Sequence, residues 1–173
     1  MKSFPDWKKY AATQKDNKTG CIPTIYETML NAAGATGIDY TIFQDEFDLQ
    51  RRGIEGNHFV SIAEAIKKKY PAVEFVCENF PTGTEKLKRL EELLDAGKLV
   101  AISVALEPTI NKKGYWHIMP VIEWNDDNIV SLRYMPSDGQ AQPDKWTITK
   151  KELVDWHDNY EGGSELAYLK GWK

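Results

Sequence analysis

The spacing of apolar residues changes once along this chain of 173 residues, and that change constrains the fold more than any other feature. Up to about residue 97 the apolar residues recur mostly three and four apart, as on the buried face of a helix. From about residue 98 they gather in short runs rich in branched and aromatic side chains, which read as strands. Ile22, Ile25, Tyr26, Met29, Leu30 and Ala33 mark a helix over about 22–33 that stops near Gly34. Thr24, Glu27, Thr28 and Asn31 fall on its other face. Pro23 fits only the first turn, where its missing N–H costs no hydrogen bond. Cys21 therefore stands at the N-terminus of a buried helix.

The segment before Gly20 is polar and expected to be irregular. Thr41 with Gln44 reads as a capping box opening a second helix toward Arg51, broken by Gly53 and Gly56. Phe59, Ile62, Ala63 and Ile66 give a third helix, ended before Pro71. Val73 to Cys77 reads as a strand. Leu87, Leu90, Leu93 and Leu94 mark a fourth helix with Gly97 as its C-terminal cap. Leu99–Leu106 and Tyr115–Trp124 are expected strands; Asn125 to Asn128 is a turn, and Ile129–Met135 completes a hairpin. Thr149 with Glu152 forms a second capping box, opening a helix to about Asp158, and Glu165–Leu169 is a last short strand. The pattern predicts an α+β fold in a single domain, with a helical lobe over about 1–97 and a sheet lobe over about 98–173.

A net charge of -4 gives no basic footprint for nucleic acid. Lys67, Lys68 and Lys69 read as the solvated end of a helix, where cations suit the dipole. No apolar run approaches the ~20 residues that span a bilayer, and the N-terminus carries no apolar stretch of signal type. The expected compartment is the cytoplasm, or the exterior if a signal has been removed. Neither a disulfide framework nor paired zinc ligands can be built from Cys21 and Cys77 alone. A single Cys21–Cys77 bridge stays open, and it would consume the thiol at the helix start. Metal binding through His58, His117 and a cysteine lacks ligand spacing, so no metal or cofactor is expected.

A thiol attacks a carbonyl as thiolate, and a helix N-terminus or an imidazolium lowers its pKa. Cys21 has the first. Among the histidines, His117 suits the second, lying in the apolar run from Tyr115 to Ile122, where a polar ring needs a partner or a cleft. His58 sits in a Gly-Asn turn, a surface position, and His157 lies late in a polar helix, where a positive ring suits the dipole. Taken singly, a buried cysteine is usually a small hydrophobe, and Cys77 keeps that reading. Thr19-Gly20-Cys21-Ile22-Pro23 instead puts small residues where a reactive thiol needs access.

The stretch from Gly20 to Gly34 resembles the nucleophile helix of the bacteriocin-processing, double-glycine-leader peptidase-like family of papain-like cysteine peptidases. Leu94 to Val104 resembles that family's helix-turn-strand, and Trp116 to Trp124 its His-bearing strand. The resemblance implies a papain-like fold, with Cys21 as nucleophile and His117 as general base. It also implies that Gln14 forms the oxyanion hole with the Cys21 N–H; the ordinary alternative for Gln14 is a solvated loop residue. The family's third residue, usually an Asp after the His strand, falls here on Met135, which cannot orient an imidazole. Asp138 is the nearby substitute, with a turn role in Pro136-Ser137-Asp138-Gly139 as its alternative. Two functions follow: a hydrolase cleaving a peptide, isopeptide or amide bond of a peptide or protein substrate, or an inactive papain-like module binding a peptide or protein partner.

Overall fold

Side chains alternate between the two faces of a strand, so a sheet whose residues are apolar on both faces needs cover on both. That is the architecture of this protein in a computed structural model, which describes residues 2–4, 6–16, 19–55, 58–105, 116–134, 144–160 and 163–172. The first half contains β1 (Lys2–Ser3), α1 (Trp7–Tyr10), α2 (Cys21–Ala33), α3 (Phe43–Phe47), α4 (His58–Lys69), β2 (Val73–Asn79) and α5 (Gly83–Asp95). The second half contains β3 (Val100–Ala105), β4 (Trp116–Trp124), β5 (Asn128–Tyr134), β6 (Asp144–Thr149), α6 (Lys150–Asn159) and β7 (Glu165–Trp172). The fold is α+β. Its described strands form one antiparallel sheet in the order β2-β7-β3-β4-β5-β6, with β1 paired to the far half of β4.

The alternation separates the two larger of three apolar clusters, the third being Trp7 with Ile122, Val130 and Leu132. Ala101, Ile118 and Ala167 pack with Ile22, Ile25, Tyr26 and Met29 of α2 and with Phe59, Ile62 and Ile66 of α4. Their strand neighbours Ile102, Val104, Met119, Val121, Leu166 and Tyr168 pack on the other face, with Leu90, Leu93 and Leu94 of α5 and Leu153 of α6. Each large apolar side chain removed from water contributes roughly 1.5–3 kcal/mol, so both faces hold the sheet in place. α2 ends where Gly34 takes a φ of 70°, allowing Ala35 N–H to reach back to Leu30 O at 3.0 Å.

The helices expected over about 22–33, around Phe59 to Ile66 and around Leu87 to Leu94 form as α2, α4 and α5, and Thr149 with Glu152 makes a reciprocal capping box on α6. The helix expected after Thr41 does not start there. Thr41 bonds to Asp39 Oδ1 through both its N–H and its hydroxyl, and α3 begins at Phe43 without a side-chain cap. Gln44 turns inward instead, with 4% of its surface exposed. The segment before Gly20 is less irregular than expected, containing β1 and α1. The strand β6 was not expected at all, although Trp146 and Ile148 alternate with Lys145 and Thr147. Among the described residues, no helix is long and apolar enough to cross a membrane.

One charged group lies inside the α5 and α6 side. Lys86 has no exposed surface; its Nζ donates to Ser103 O at 2.6 Å and Gly163 O at 2.5 Å, tying α5 to β3 and to the approach to β7. Burial pushes its ammonium down to about 7, against the opposing pull of Glu165. His157 shares this interior, and burial first, then the charge of Lys86, holds its ring below the ordinary value. The positive ring expected at the end of α6 is thus disfavoured.

Lys86 in the folded protein releases its proton more readily than in the unfolded chain, where lysine titrates near 10.4. Between about pH 7 and 10.5 the unfolded state binds more protons, so stability rises with pH in that window. Relative to Lys86→Met, the wild type should gain stability there, by at most about 1.4 kcal/mol per pH unit. Denaturant melts of both proteins at either end of the window measure it; a constant difference between the two would contradict it.

Candidate active site

The start of α2 is tightly folded. Gly20 N–H donates to Asp16 O at 2.9 Å, and Gly20 O accepts from the Thr24 N–H at 3.1 Å and the Thr24 hydroxyl at 2.5 Å. A Cβ on Gly20 would lie 2.6 Å from Asp16 O, against backbone that cannot yield without moving the turn. Glycine is required here by the approach of the chain, a stronger reason than access to the thiol. Cys21 follows as the first residue of α2.

Three backbone amides act on the sulfur, those of Ile22, Cys21 and Ile118, and each favours the thiolate. Two are the free N–H groups of a helix N-terminus; the third comes from β4. Burial nonetheless outweighs them and, with the nearby charge of Asp48, pushes the thiol up to about 11. The lowering expected from the helix start is present but loses to desolvation. Asp48 is itself buried, accepting from the Thr19 hydroxyl at 2.7 Å and the Arg51 N–H at 3.1 Å.

The contact with Ile118 places Cys21 one residue along β4 from His117. Ile118 packs on the α2 side and Met119 on the α5 side. His117 is in register with Val104, which also belongs to the α5 side. Strict alternation groups His117 with Met119, so an imidazole reaching the sulfur must do so round the first residues of β4. Met135 and Asp138, the position and the substitute for a third residue, lie outside the described residues.

Gln14 is not a solvated loop residue. It is 5% exposed, and its Nε2 donates to Asp16 O at 2.7 Å, the carbonyl that also accepts from Gly20. His58 opens α4, with Nε2 against Ile54 O at 2.7 Å. Both cysteines are free thiols. Cys77 Sγ lies 3.4 Å from the buried Tyr26 hydroxyl and 3.5 Å from Phe59 O, so it is a packing residue tied into the α4 and β2 contact. Among the described residues no three His, Cys, Asp or Glu side chains converge to hold a metal ion.

Nothing local marks Asp48 as inward-facing, and Gln44 carries only the spacing of a capping residue. The four polar positions of α2 carried more information, because Thr24, Glu27 and Thr28 are buried rather than solvated. Neither a family model nor a curated protein matches the chain.

With the sulfur protonated at neutral pH, the rate of Cys21 alkylation by iodoacetamide should climb steadily toward about pH 11. Asp48→Asn removes one of the groups that raises the thiol, and should move that profile to lower pH. A profile unmoved by the substitution would show that the carboxylate does not act on the sulfur.

Proposed function

We propose that this protein is a papain-like cysteine hydrolase that cleaves a peptide, isopeptide or amide bond through a thioester on Cys21. The observation that carries this reading is the position of the sulfur. It is the first side chain of a buried helix, surrounded by two helix-start amides and the Ile118 amide of the strand that bears His117. Amides that act on one sulfur favour negative charge there.

His117 acts as general base. Because the thiol rests protonated, its proton passes to the imidazole as sulfur attacks the carbonyl carbon, rather than being lost beforehand. The C–N bond then breaks, the departing amine takes that proton, and water hydrolyses the thioester. The Cys21 N–H and the Gln14 carboxamide donate to the oxyanion. The substrate is a peptide or protein, and the chemistry calls for no cofactor. The dyad is a proposal built on the adjacency of His117 to Ile118.

A second reading has its own support. A thiol pushed up to about 11 and a histidine grouped by register with the α5 face suit a scaffold that binds a peptide or protein partner without turnover.

Acylation separates the two. p-Nitrophenyl acetate should acylate Cys21 with a burst of p-nitrophenolate, and Cys21→Ala should abolish it. His117→Ala should slow it by about 10²-fold or more, the usual contribution of a positioned base. Acylation no faster than that of free cysteine, and indifferent to His117, would favour the binding module.

A further inference from the structure

The side chain of Gln44 spends both of its N–H donors and its oxygen at one place. A carboxamide offers two N–H donors and two acceptor sites on oxygen. Oε1 accepts from the Lys15 N–H at 2.9 Å and lies 2.9 Å from the Thr24 hydroxyl, whose one proton it shares with Gly20 O. Nε2 donates to Thr13 O at 2.7 Å and to Glu27 Oε2 at 2.8 Å. Thr13 O and Lys15 N–H are the two backbone groups flanking Gln14. Thr24 and Glu27 lie on the helix that begins at Cys21.

Two more bonds extend the same seam. Ala12 N–H donates to the Thr28 hydroxyl at 2.9 Å, and Asp16 O accepts from Gly20 N–H at 2.9 Å. Residues 12 to 16 therefore run along α2 against its direction, from the level of Thr28 to that of Gly20. Gln14 falls between, near Thr24, one turn from Cys21. Its own Nε2 is fastened to Asp16 O at 2.7 Å. An amide held this way spends no ordering entropy when charge appears on a substrate oxygen.

We infer that Gln44 is a positioning residue. From α3 it clamps the peptide groups on both sides of Gln14 to the polar face of α2, and so fixes the Gln14 carboxamide for the oxyanion of the acylation step. The inference rests on the hydrolase reading and adds to it a residue that touches neither substrate nor sulfur.

Two reactions of one thiol test it. Acylation by p-nitrophenyl acetate forms the S–C bond, expels p-nitrophenolate, passes the thiol proton to His117 and needs the oxyanion donors. Alkylation by iodoacetamide forms an S–C bond with loss of iodide and develops no oxyanion. Gln14→Ala should lower acylation by about 10²-fold, as loss of one oxyanion donor does. Gln44→Met should lower it by about tenfold or more through Gln14, and the double variant should fall no further than Gln14→Ala alone, as residues acting as one unit do. Alkylation should stay within about threefold of wild type in all of them, since that step draws on no oxyanion donor. If Gln44→Met unfolds because it strands the Glu27 carboxylate, Gln44→Met with Glu27→Gln removes that charge and carries the same expectation. Wild-type acylation rates in a folded Gln44 variant, or losses that multiply in the double variant, would overturn the inference and leave the hydrolase reading standing. Wild-type acylation no faster than that of free cysteine would overturn both.

Discussion

A helix sunk into a protein has to find partners for its polar face, and α2 is sunk on nearly every side. Thr24, Glu27 and Thr28 are buried alongside Ile22, Ile25, Tyr26, Met29 and Leu30. Each buried polar group left without a partner would cost roughly 1–3 kcal/mol. The solution is a second layer of chain: residues 12–16 laid along the helix and locked by Gln44, with the helix hydroxyls bonding to backbone. Burial keeps the Glu27 carboxyl above its ordinary value, while the Gln44 amide opposes that. What satisfies the helix also sets the path of the chain into Gly20 and Cys21.

The same burial decides the state of the thiol. A helix N-terminus offers partial positive charge to a thiolate, and here three amides do so. Removing the sulfur from water and setting it near Asp48 opposes them and prevails. On the proposed hydrolase reading, a sulfur that rests as thiol needs a base at the moment of attack, so the place of His117 matters more than any standing ion pair.

The sheet controls that place. In β4 consecutive residues serve opposite faces, Ile118 toward α2 and Met119 toward α5 and α6. The strand thus connects the helix bearing Cys21 with the interior that encloses Lys86 and His157. Two charged or polar devices lie on opposite sides of one sheet, and from β4 the Ile118 amide acts on the sulfur.

The long elements were legible in the sequence because each carries its own period. Ile22 to Ala33, Phe59 to Ile66 and Leu87 to Leu94 repeat at helical spacing, and Trp116 to Trp124 reads as a strand from its branched and aromatic residues. Local chemistry alone also set the Thr149 and Glu152 cap, and Pro23 fixed Cys21 at a helix start. Thr41 and Gln44 have the spacing of a cap too, but tertiary demand overrode it: Thr13 O, the Lys15 N–H and the Glu27 carboxylate claimed Gln44, and Thr41 turned to Asp39. The sequence by itself determined the long helices, the longer strands and which residue begins α2, since those depend on neighbours a few positions away. Only the tertiary structure decided that the polar face of α2 is covered, that Cys21 is partly buried near Asp48, and that the Ile118 amide acts on it, because burial is a property of segments far apart in the chain.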